Sequence, residues 1–310
     1  MPSDVLPVLY FDRSFPDDYR DLIDGRALAV GPDETDLGAA VGVIAGAVRP
    51  WNAAAFALFP NARVISRTGI GYDNIDVTAA KKAGIAVCYA PDAPSVSTAE
   101  HTLALLLAIT KGLPAQQARA AQGLPGGTAS GMELDGRTLG LVGYGRIARL
   151  VARTASALGM QVIAADPMVT DSGSGDVTMV SLTELLTRSD VVSLHAPSLP
   201  ETRHLIGAGT LSIMKPGAYL VNCARGTLVD QEALIVALDS GHLAGAALDV
   251  TDPEPLPLGH RLLGHPSVIV TPHVASSTDA GRRRLYQQAI DNALAVIDGR
   301  PATLVPSHET

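Results

Sequence analysis

The chain has 310 residues, of which 47% are hydrophobic, and a formal net charge of −8. This length accommodates one large or two ordinary globular cores. The excess of 31 acidic over 23 basic residues disfavours a nucleic-acid partner, because no surplus of cations is available to meet phosphates. No apolar run approaches the ~20 residues that a membrane span needs, and the start lacks a signal-peptide pattern, so we expect a cytoplasmic protein without a membrane partner.

Short β-branched segments alternate with Ala/Leu-rich segments along the whole chain, which is typical of parallel α/β sheets. We predict ten strands, within residues 5–11, 41–46, 62–67, 85–90, 139–143, 161–166, 190–197, 218–224, 243–250 and 267–273. Ten strands are too many for a single sheet of this kind in a chain of this length. The fold class is therefore predicted to be α/β, with two doubly wound parallel-sheet domains.

Two long helix patterns mark the points where the chain changes domain. Residues 97–113 predict a helix that leads from the first domain into the second, and Ser97 with Glu100 forms a capping-box pattern at its start. Residues 276–299 predict a second long helix, which follows the last strand and returns the chain to the first domain. The second domain is therefore predicted to be inserted within the first.

A glycine-rich turn, GYGRIA (143–148), separates a strand pattern from an Ala-rich helix pattern. Gly143 permits a tight turn, Gly145 lets the backbone approach a pyrophosphate, and Ala148 takes the third position of the dinucleotide fingerprint. The phosphates would lie at a helix N-terminus, where unpaired N–H groups and the helix dipole attract an anion. In this context the turn predicts a dinucleotide site, which also includes Tyr144, Arg146 and Ile147.

The next strand ends at Asp166, eighteen residues after Ala148. An aspartate at this place accepts hydrogen bonds from the ribose hydroxyls of the adenosine and repels a 2′-phosphate. Pro167 and Met168 follow it, and no arginine stands beside it. The predicted cofactor is therefore NAD rather than NADP, with Pro167 beside the ribose site.

Further segments follow one another in the order of a known family. They are RTGIGYDNIDV (67–77), STAEHTLALLLA (97–108), HAPSLPETRHLIG (195–207), MKPGAYLVNCARGTLVD (214–230), ALDVTDPEPLP (247–257) and TPHVAS (271–276). With the glycine turn, they resemble the D-isomer-specific 2-hydroxyacid dehydrogenase family over residues from about 40 to 300. The resemblance implies a Rossmann NAD domain, residues 97–278, inserted into a flavodoxin-like substrate domain formed by residues 1–96 and 279–310.

The resemblance also implies a catalytic set. Reduction of a 2-keto acid needs a hydride donor, an acid that protonates the carbonyl oxygen, and a cation that holds the carboxylate. The family's acid resembles His273 of TPH, and Glu254 of DPEP matches the carboxylate that favours the protonated imidazole. Arg225 of CARG matches the cation, whose planar fork suits a carboxylate.

Residue by residue, the resemblance implies further contacts of two kinds. The substrate loop consists of Arg67, Thr68, Gly69, Ile70 and Gly71, with the two glycines forming a backbone nest for an anion. The additional cofactor contacts are Thr98, His195, Ala196, Pro197, Thr202, Cys223, Ala224, Asp249 and Ser276. Of these, Asp249 is expected to accept a hydrogen bond from the nicotinamide carboxamide, while Arg67 is either a reader of a substrate anion or a solvated strand-end cation.

The expected reaction is NAD-dependent interconversion of a D-2-hydroxy acid and its 2-keto acid, such as hydroxypyruvate or glyoxylate. One alternative keeps the reaction and makes 3-phosphoglycerate the substrate. Another is an NAD(H)-sensing protein that binds protein partners, like the corepressor relatives of the family. The family implies a homodimer formed through the NAD domain, and the spacing of histidines and cysteines predicts no metal site.

Overall fold

The computed structural model describes residues 5–47, 49–126, 131–173 and 175–306. The chain forms two compact units, residues 1–94 with 278–310, and residues 95–277. Across the described ranges, no helix combines the length and the apolar character that crossing a membrane requires.

The described residues contain twelve strands and nine α-helices. The strands are β1 Val8–Phe11, β2 Leu28–Val30, β3 Ala40–Ala45, β4 Val64–Arg67, β5 Ala86–Cys88, β6 Thr138–Val142, β7 Gln161–Ala165, β8 Val177–Met179, β9 Val191–Leu194, β10 Ala218–Asn222, β11 Leu243–Leu248 and β12 Val268–Val270. The helices are α1 Ala53–Phe56, α2 Val77–Lys82, α3 Ser95–Thr110, α4 Leu113–Ala121, α5 Arg146–Ala157, α6 Leu182–Arg188, α7 Ala208–Ile213, α8 Gln231–Asp239 and α9 Asp279–Ile297.

The first unit is a five-stranded parallel sheet in the order β2-β1-β3-β4-β5. Side chains alternate between its faces, so neighbouring residues of one strand enter different cores. Val43 packs with Trp51 and Phe59 on one face. Ile44 packs on the other face with Ile290 of α9. The strand order reverses direction between β1 and β3, which makes the carboxyl ends of these two strands a topological switch point.

The second unit is a seven-stranded parallel sheet in the order β12-β11-β10-β9-β6-β7-β8. All its pairings are parallel, and hydrophobic clusters cover both faces, as doubly wound sheets require. Its switch point lies between β6 and β9, and the glycine turn 143–148 leaves the sheet there. The two doubly wound parallel-sheet domains predicted from the sequence are confirmed.

The sequence reading missed two strands and misplaced one helix start. Strands β2 and β8 have three residues each and lie at sheet edges, where little hydrophobic pattern is needed. Helix α3 begins at Ser95, directly after Pro94, rather than at the predicted capping box. Proline's fixed φ suits the entry to a helix, so Ser97 and Glu100 lie inside the helix and the predicted cap is wrong.

Candidate active site

The glycine turn contacts the backbone of the neighbouring strand end at the switch point of the second unit. Gly143 has φ +89°, a conformation that L side chains rarely adopt. A Cβ added there would lie 2.8 Å from the carbonyl carbon and oxygen of His195 and 2.9 Å from the nitrogen of Ala196. A methyl group cannot fit against this backbone, so both the conformation and the packing require glycine.

Gly145 lies in the opposite situation. It precedes α5 as the N-cap residue, and a Cβ added there would meet nothing within 4 Å. The space above the first turn of a twelve-residue helix, whose N–H groups lack intrahelical partners, is therefore open to an anion. This space fits the pyrophosphate of NAD, and Arg146 is exposed beside it.

Asp166, at the end of β7, is tied to the glycine turn. Its Oδ2 accepts the backbone N–H of Tyr144 at 2.8 Å, and its Oδ1 accepts the N–H of Met168 at 2.8 Å. Each carboxylate oxygen keeps further acceptor capacity, and the residue is only half-buried. The carboxylate is thus fixed in orientation and still accessible to ribose hydroxyls.

An arginine that sequence reasoning missed braces this region. The guanidinium of Arg149 lies over the ring of Tyr144, 4.4 Å from its centroid. Its Nη1 also donates to the carbonyl of Ser172 at 2.7 Å. Arg149 therefore joins the glycine turn to the segment that follows Asp166, and only its place on the exposed side of α5 could have suggested this.

His273 and Glu254, predicted nineteen residues apart, are brought into contact. His273 Nδ1 lies 2.6 Å from Glu254 Oε1, and each side chain is 39% exposed. Partial burial alone would raise the pKa of Glu254, but the hydrogen bond and charge of His273, a backbone hydrogen bond from Thr251 and the charge of Arg225 together lower it. Glu254 is therefore ionised at neutral pH.

The backbone of His273 is strained, and Asp249 holds it. His273 has φ +52°, a left-handed conformation that costs a non-glycine residue about 1–3 kcal/mol. Its N–H donates to the carbonyl of Asp249 at 2.8 Å, and the next two N–H groups, of Val274 and Ala275, donate to the two Asp249 carboxylate oxygens at 2.9 Å each. Thr271 Oγ1 donates to the same carboxylate at 2.6 Å.

The carboxylate of Asp249 accepts hydrogen bonds from the protein itself. Its side chain is 0% exposed, and its oxygens already accept three protein donors. These contacts make Asp249 an internal clamp on the 271–275 segment. Its hydrogen bond with the nicotinamide carboxamide stays a prediction.

Arg225 is positioned by a buried asparagine that sequence reasoning also missed. Asn222, at the end of β10, accepts the N–H of Ala224 at 3.0 Å and donates to the carbonyl of Arg225 at 2.8 Å. The following Gly226 packs against the backbone of Thr251, where an added Cβ would lie 2.1 Å from the carbonyl carbon. The segment that carries Arg225 is thus packed directly on the segment that leads to Glu254.

The remaining predicted cofactor residues lie at the carboxyl edge of the same sheet or just beyond it. Burial lowers the pKa of His195 to about 4, and its Nε2 lies 2.9 Å from Ser193 Oγ, so the ring is neutral at physiological pH. Burial raises the pKa of the Cys223 thiol to about 12, so this cysteine is not a nucleophile. Thr202 Oγ1 bonds within its own turn, to Pro197 O at 2.7 Å and Leu199 N at 2.8 Å.

Four further residues of the predicted set are placed by their surroundings. Thr98 is buried in α3, and its carbonyl accepts Thr102 Oγ1 at 2.8 Å. Ala196 and Ser276 are half-buried, and Pro167 is exposed. These surroundings do not distinguish a cofactor contact from ordinary packing, so the cofactor roles of the four residues stay predictions.

The predicted substrate loop lies in the first unit and follows β4. Arg67 is 8% exposed, and its Nη1 lies 3.3 Å from Thr68 Oγ1. The guanidinium packs against Gly69, where an added Cβ would meet Nη1 at 2.8 Å. Gly69 therefore accommodates the guanidinium of Arg67, which is a buried cation rather than a solvated one. The backbone nest at Gly69 and Gly71 stays a prediction. Ile70 and Gly71 are half-buried beyond it.

Comparisons with known proteins show the family to which the chain belongs. The family of D-isomer specific 2-hydroxyacid dehydrogenases, NAD binding domain, matches residues 103–275. The chain is 39% identical to D-3-phosphoglycerate dehydrogenase of Bacillus subtilis over 77% of its own length and 46% of that protein. It is 42% identical to (S)-sulfolactate dehydrogenase of Chromohalobacter salexigens over 76% of this chain and 78% of that protein.

A solved D-lactate dehydrogenase from Aquifex aeolicus, complexed with NAD and lactic acid, is 30% identical, with a TM-score of 0.83 over 96% of that chain and 94% of this one. The chain spans about half the length of the curated phosphoglycerate dehydrogenases that it matches. The matched domain, the shared fold and a glycine turn that fits a pyrophosphate together identify the cofactor as NAD. The chain belongs to the D-isomer-specific 2-hydroxyacid dehydrogenase family.

Proposed function

We propose that the chain interconverts a D-2-hydroxy acid and its 2-keto acid, with His273 as the acid and base. The observation that carries this proposal is the 2.6 Å contact between His273 Nδ1 and the ionised Glu254. Because Nδ1 faces the carboxylate, the proton that can be exchanged with a substrate is the one on Nε2. His273 thus protonates the carbonyl oxygen in reduction and removes the hydroxyl proton in oxidation.

In this proposal NAD supplies and accepts the hydride, and the protein supplies binding, orientation and proton transfer. Gly143, Gly145 and Asp166 hold the dinucleotide through the open helix N-terminus and the oriented carboxylate. Arg225, held at its carbonyl by Asn222, grips the substrate carboxylate with its guanidinium. Glu254 stabilises the imidazolium that carries the proton.

The first candidate substrate is a short 2-keto acid without a further charged group. The second candidate is a 2-keto acid that carries an anionic group at C3. Phosphoglycerate and sulfolactate, in the names of two relatives, both carry such a group. In the first unit, the buried Arg67 supplies a cation beside Thr68 and Gly69, and this observation favours the second candidate. On the family resemblance alone, we also propose a homodimer formed through the NAD unit, which light scattering tests.

The test is a turnover assay that follows NADH absorbance with glyoxylate, hydroxypyruvate, pyruvate, 3-phosphohydroxypyruvate and sulfopyruvate. We expect one keto acid to be reduced well above the rest, and His273→Ala to lose about 10²- to 10⁴-fold in kcat. The control is His242→Ala, because His242 lies in the same unit and its ring is hydrogen-bonded to the carbonyl of Leu211, at 3.0 Å.

Two results would contradict the proposal. Turnover that survives in His273→Ala would remove this histidine from the proton transfer. Tight NADH binding without turnover of any keto acid would favour the NAD(H)-sensing alternative over an enzyme.

A further inference from the structure

A second histidine, His101, reaches the clamp that holds the catalytic segment. It lies in α3, with its side chain 22% exposed. Its Nε2 is 3.2 Å from Thr271 Oγ1 and 3.4 Å from Asp249 Oδ1. No feature of the family resemblance above assigns a role to this residue.

The hydrogen-bond directions in this cluster follow from the chemistry of its members. The Thr271 hydroxyl has one proton, and this proton points to the carboxylate of Asp249 at 2.6 Å. Because that proton is committed, Thr271 Oγ1 can only accept from His101. The Nε2 of His101 therefore carries a proton and donates it to Thr271, which in turn donates to Asp249.

This chain of donors ends on the group that orients His273. Asp249 accepts the backbone N–H groups of Val274 and Ala275 through its carboxylate, and that of His273 through its carbonyl. The Asp249 side chain has no exposed surface, and the Thr271 hydroxyl is one of the donors that fix its orientation. The His101 N–H holds the Thr271 hydroxyl in the orientation that donates to Asp249, and thereby helps to keep Asp249 in the position that imposes φ +52° on His273.

We propose that His101 is a positioning residue, which acts through Thr271 and Asp249 to hold the His273 segment in its left-handed conformation. This inference rests on the proposed function for its catalytic consequence but not for its structural one. His101 touches neither of the groups that exchange the proton. Loss of the His101 side chain is expected to make the segment that carries His273 less ordered, and to leave the glycine turn 143–148 unchanged.

The experiment combines kinetics with hydrogen exchange in three variants. His101→Leu removes the donor, and we expect kcat to fall by about tenfold or more, because a small misplacement of a catalytic group is costly. The Kd for NADH is expected to change less than about twofold. His101→Gln keeps an N–H donor at a similar reach and is expected to recover most of the lost kcat. His242→Leu is the matched control, with no effect on either quantity.

Hydrogen exchange of the intact apoprotein supplies the readout that needs no turnover. A peptide covering 271–277 is expected to exchange at least about tenfold faster in His101→Leu and in Thr271→Val, and at the wild-type rate in His101→Gln. Within the Thr271→Val background, adding His101→Leu is expected to have a smaller effect than it has alone.

The outcomes separate the two proposals. If the wild type reduces no keto acid but exchange at 271–277 responds as expected, the proposed function fails and the positioning role stands. If exchange and kcat are unchanged in His101→Leu, or if NADH binding and global stability fall in parallel with kcat, the positioning role is overturned.

Discussion

The two units have topological switch points of the same kind, but different groups occupy them. In the first unit, Asp12 follows β1, and its Oδ2 accepts the N–H of Gly46, which follows β3, at 2.7 Å. The charges of Arg13 and Arg67 act on this carboxylate. In the second unit, Gly143 and Gly145 stand at the same topological place, and the space beside Gly145 is open.

The difference shows how one topology serves two purposes. At both switch points, diverging strands expose backbone N–H groups, which attract a negative charge. In the first unit, the carboxylate of Asp12 accepts one of these N–H groups. A short 3-10 helix that begins with Asp17 and Asp18 follows it. In the second unit Asp166 accepts the N–H of Tyr144, but the space beside Gly145 at the start of the long helix α5 contains no side chain, so a ligand anion can occupy it.

The largest effect is expected from substituting the two glycines of the second switch point in turn. Gly143→Ala places a methyl group 2.8 Å from the His195 backbone at a positive φ, which we expect to cost about 3 kcal/mol or more and to abolish NADH binding. Gly145→Ala meets open space, so we expect stability to change by no more than about 1 kcal/mol.

Binding separates these variants further. The methyl of Gly145→Ala occupies the space assigned to the pyrophosphate, so NADH affinity is expected to fall by about tenfold or more despite normal stability. Thermal melting and a fluorescence titration with NADH measure the two quantities. Wild-type affinity in Gly145→Ala would show that the cofactor phosphates do not lie beside this turn.

The next effect is a pH dependence of stability that arises from His195. The pKa of His195 is about 4 in the fold because of burial, against about 6.5 in an unfolded chain. Above pH 6.5 the ring is neutral in both states and contributes no pH dependence. Between pH 6.5 and about 4 only the unfolded state takes up the proton. The free energy of unfolding therefore decreases as the pH is lowered through this range, by at most about 3 kcal/mol.

Urea unfolding of the wild type and His195→Gln across this range isolates the contribution. The variant is expected to have a flatter profile between pH 6.5 and 5, where most carboxyl groups are still ionised. Parallel profiles for the two proteins would mean that His195 is solvated, and that the second switch point admits water beside the glycine turn.

A smaller effect is expected from Arg149, the brace of the second switch point. Arg149→Met removes both the contact with the Tyr144 ring and the bond to Ser172 O. We expect the Kd for NADH to rise by about five- to tenfold, because the ring contact and the hydrogen bond are each worth about 1 kcal/mol. The control is Arg153→Met, an exposed arginine on the same helix. Equal Kd values in the two variants would contradict the brace.

The sequence predicted features that depend on local pattern, and it missed those that depend on distant side chains. The glycine turn, the strand before it and Asp166 lie within one βαβ unit, so spacing alone could predict them. Asp249 and His101 could not be assigned in this way, because the contact between His101 and Thr271 joins residues 170 positions apart. No periodicity encodes such a contact.

The charged cluster of the first switch point was missed for a related reason. Asp12 and Gly46 lie 34 residues apart, and each looks like ordinary loop chemistry in its own segment. Arg67 was predicted as a possible reader of a substrate anion, but its 8% exposure depends on its packing against Gly69. Burial of a charged side chain is a property of the packed unit, not of its neighbours in sequence.

The smallest effect is expected from Asp12→Asn, which removes the internal negative charge of the first unit. Burial raises the pKa of Asp12 and outweighs the opposing bond from Gly46 and the charges of Arg13 and Arg67. The folded state therefore binds the proton more tightly than the unfolded chain, and stability falls as pH rises from about 4 through the raised pKa.

In Asp12→Asn this slope disappears, while the amide oxygen can still accept the Gly46 N–H. At neutral pH the variant is expected to be within about 1 kcal/mol of the wild type, and urea unfolding at pH 4 and pH 7 measures the difference. A loss of several kcal/mol at pH 7 alone would mean that the carboxylate is needed as the counter-charge of Arg67. The first switch point would then depend on a bound negative charge as strictly as the second, and would differ from it only in drawing that charge from its own chain.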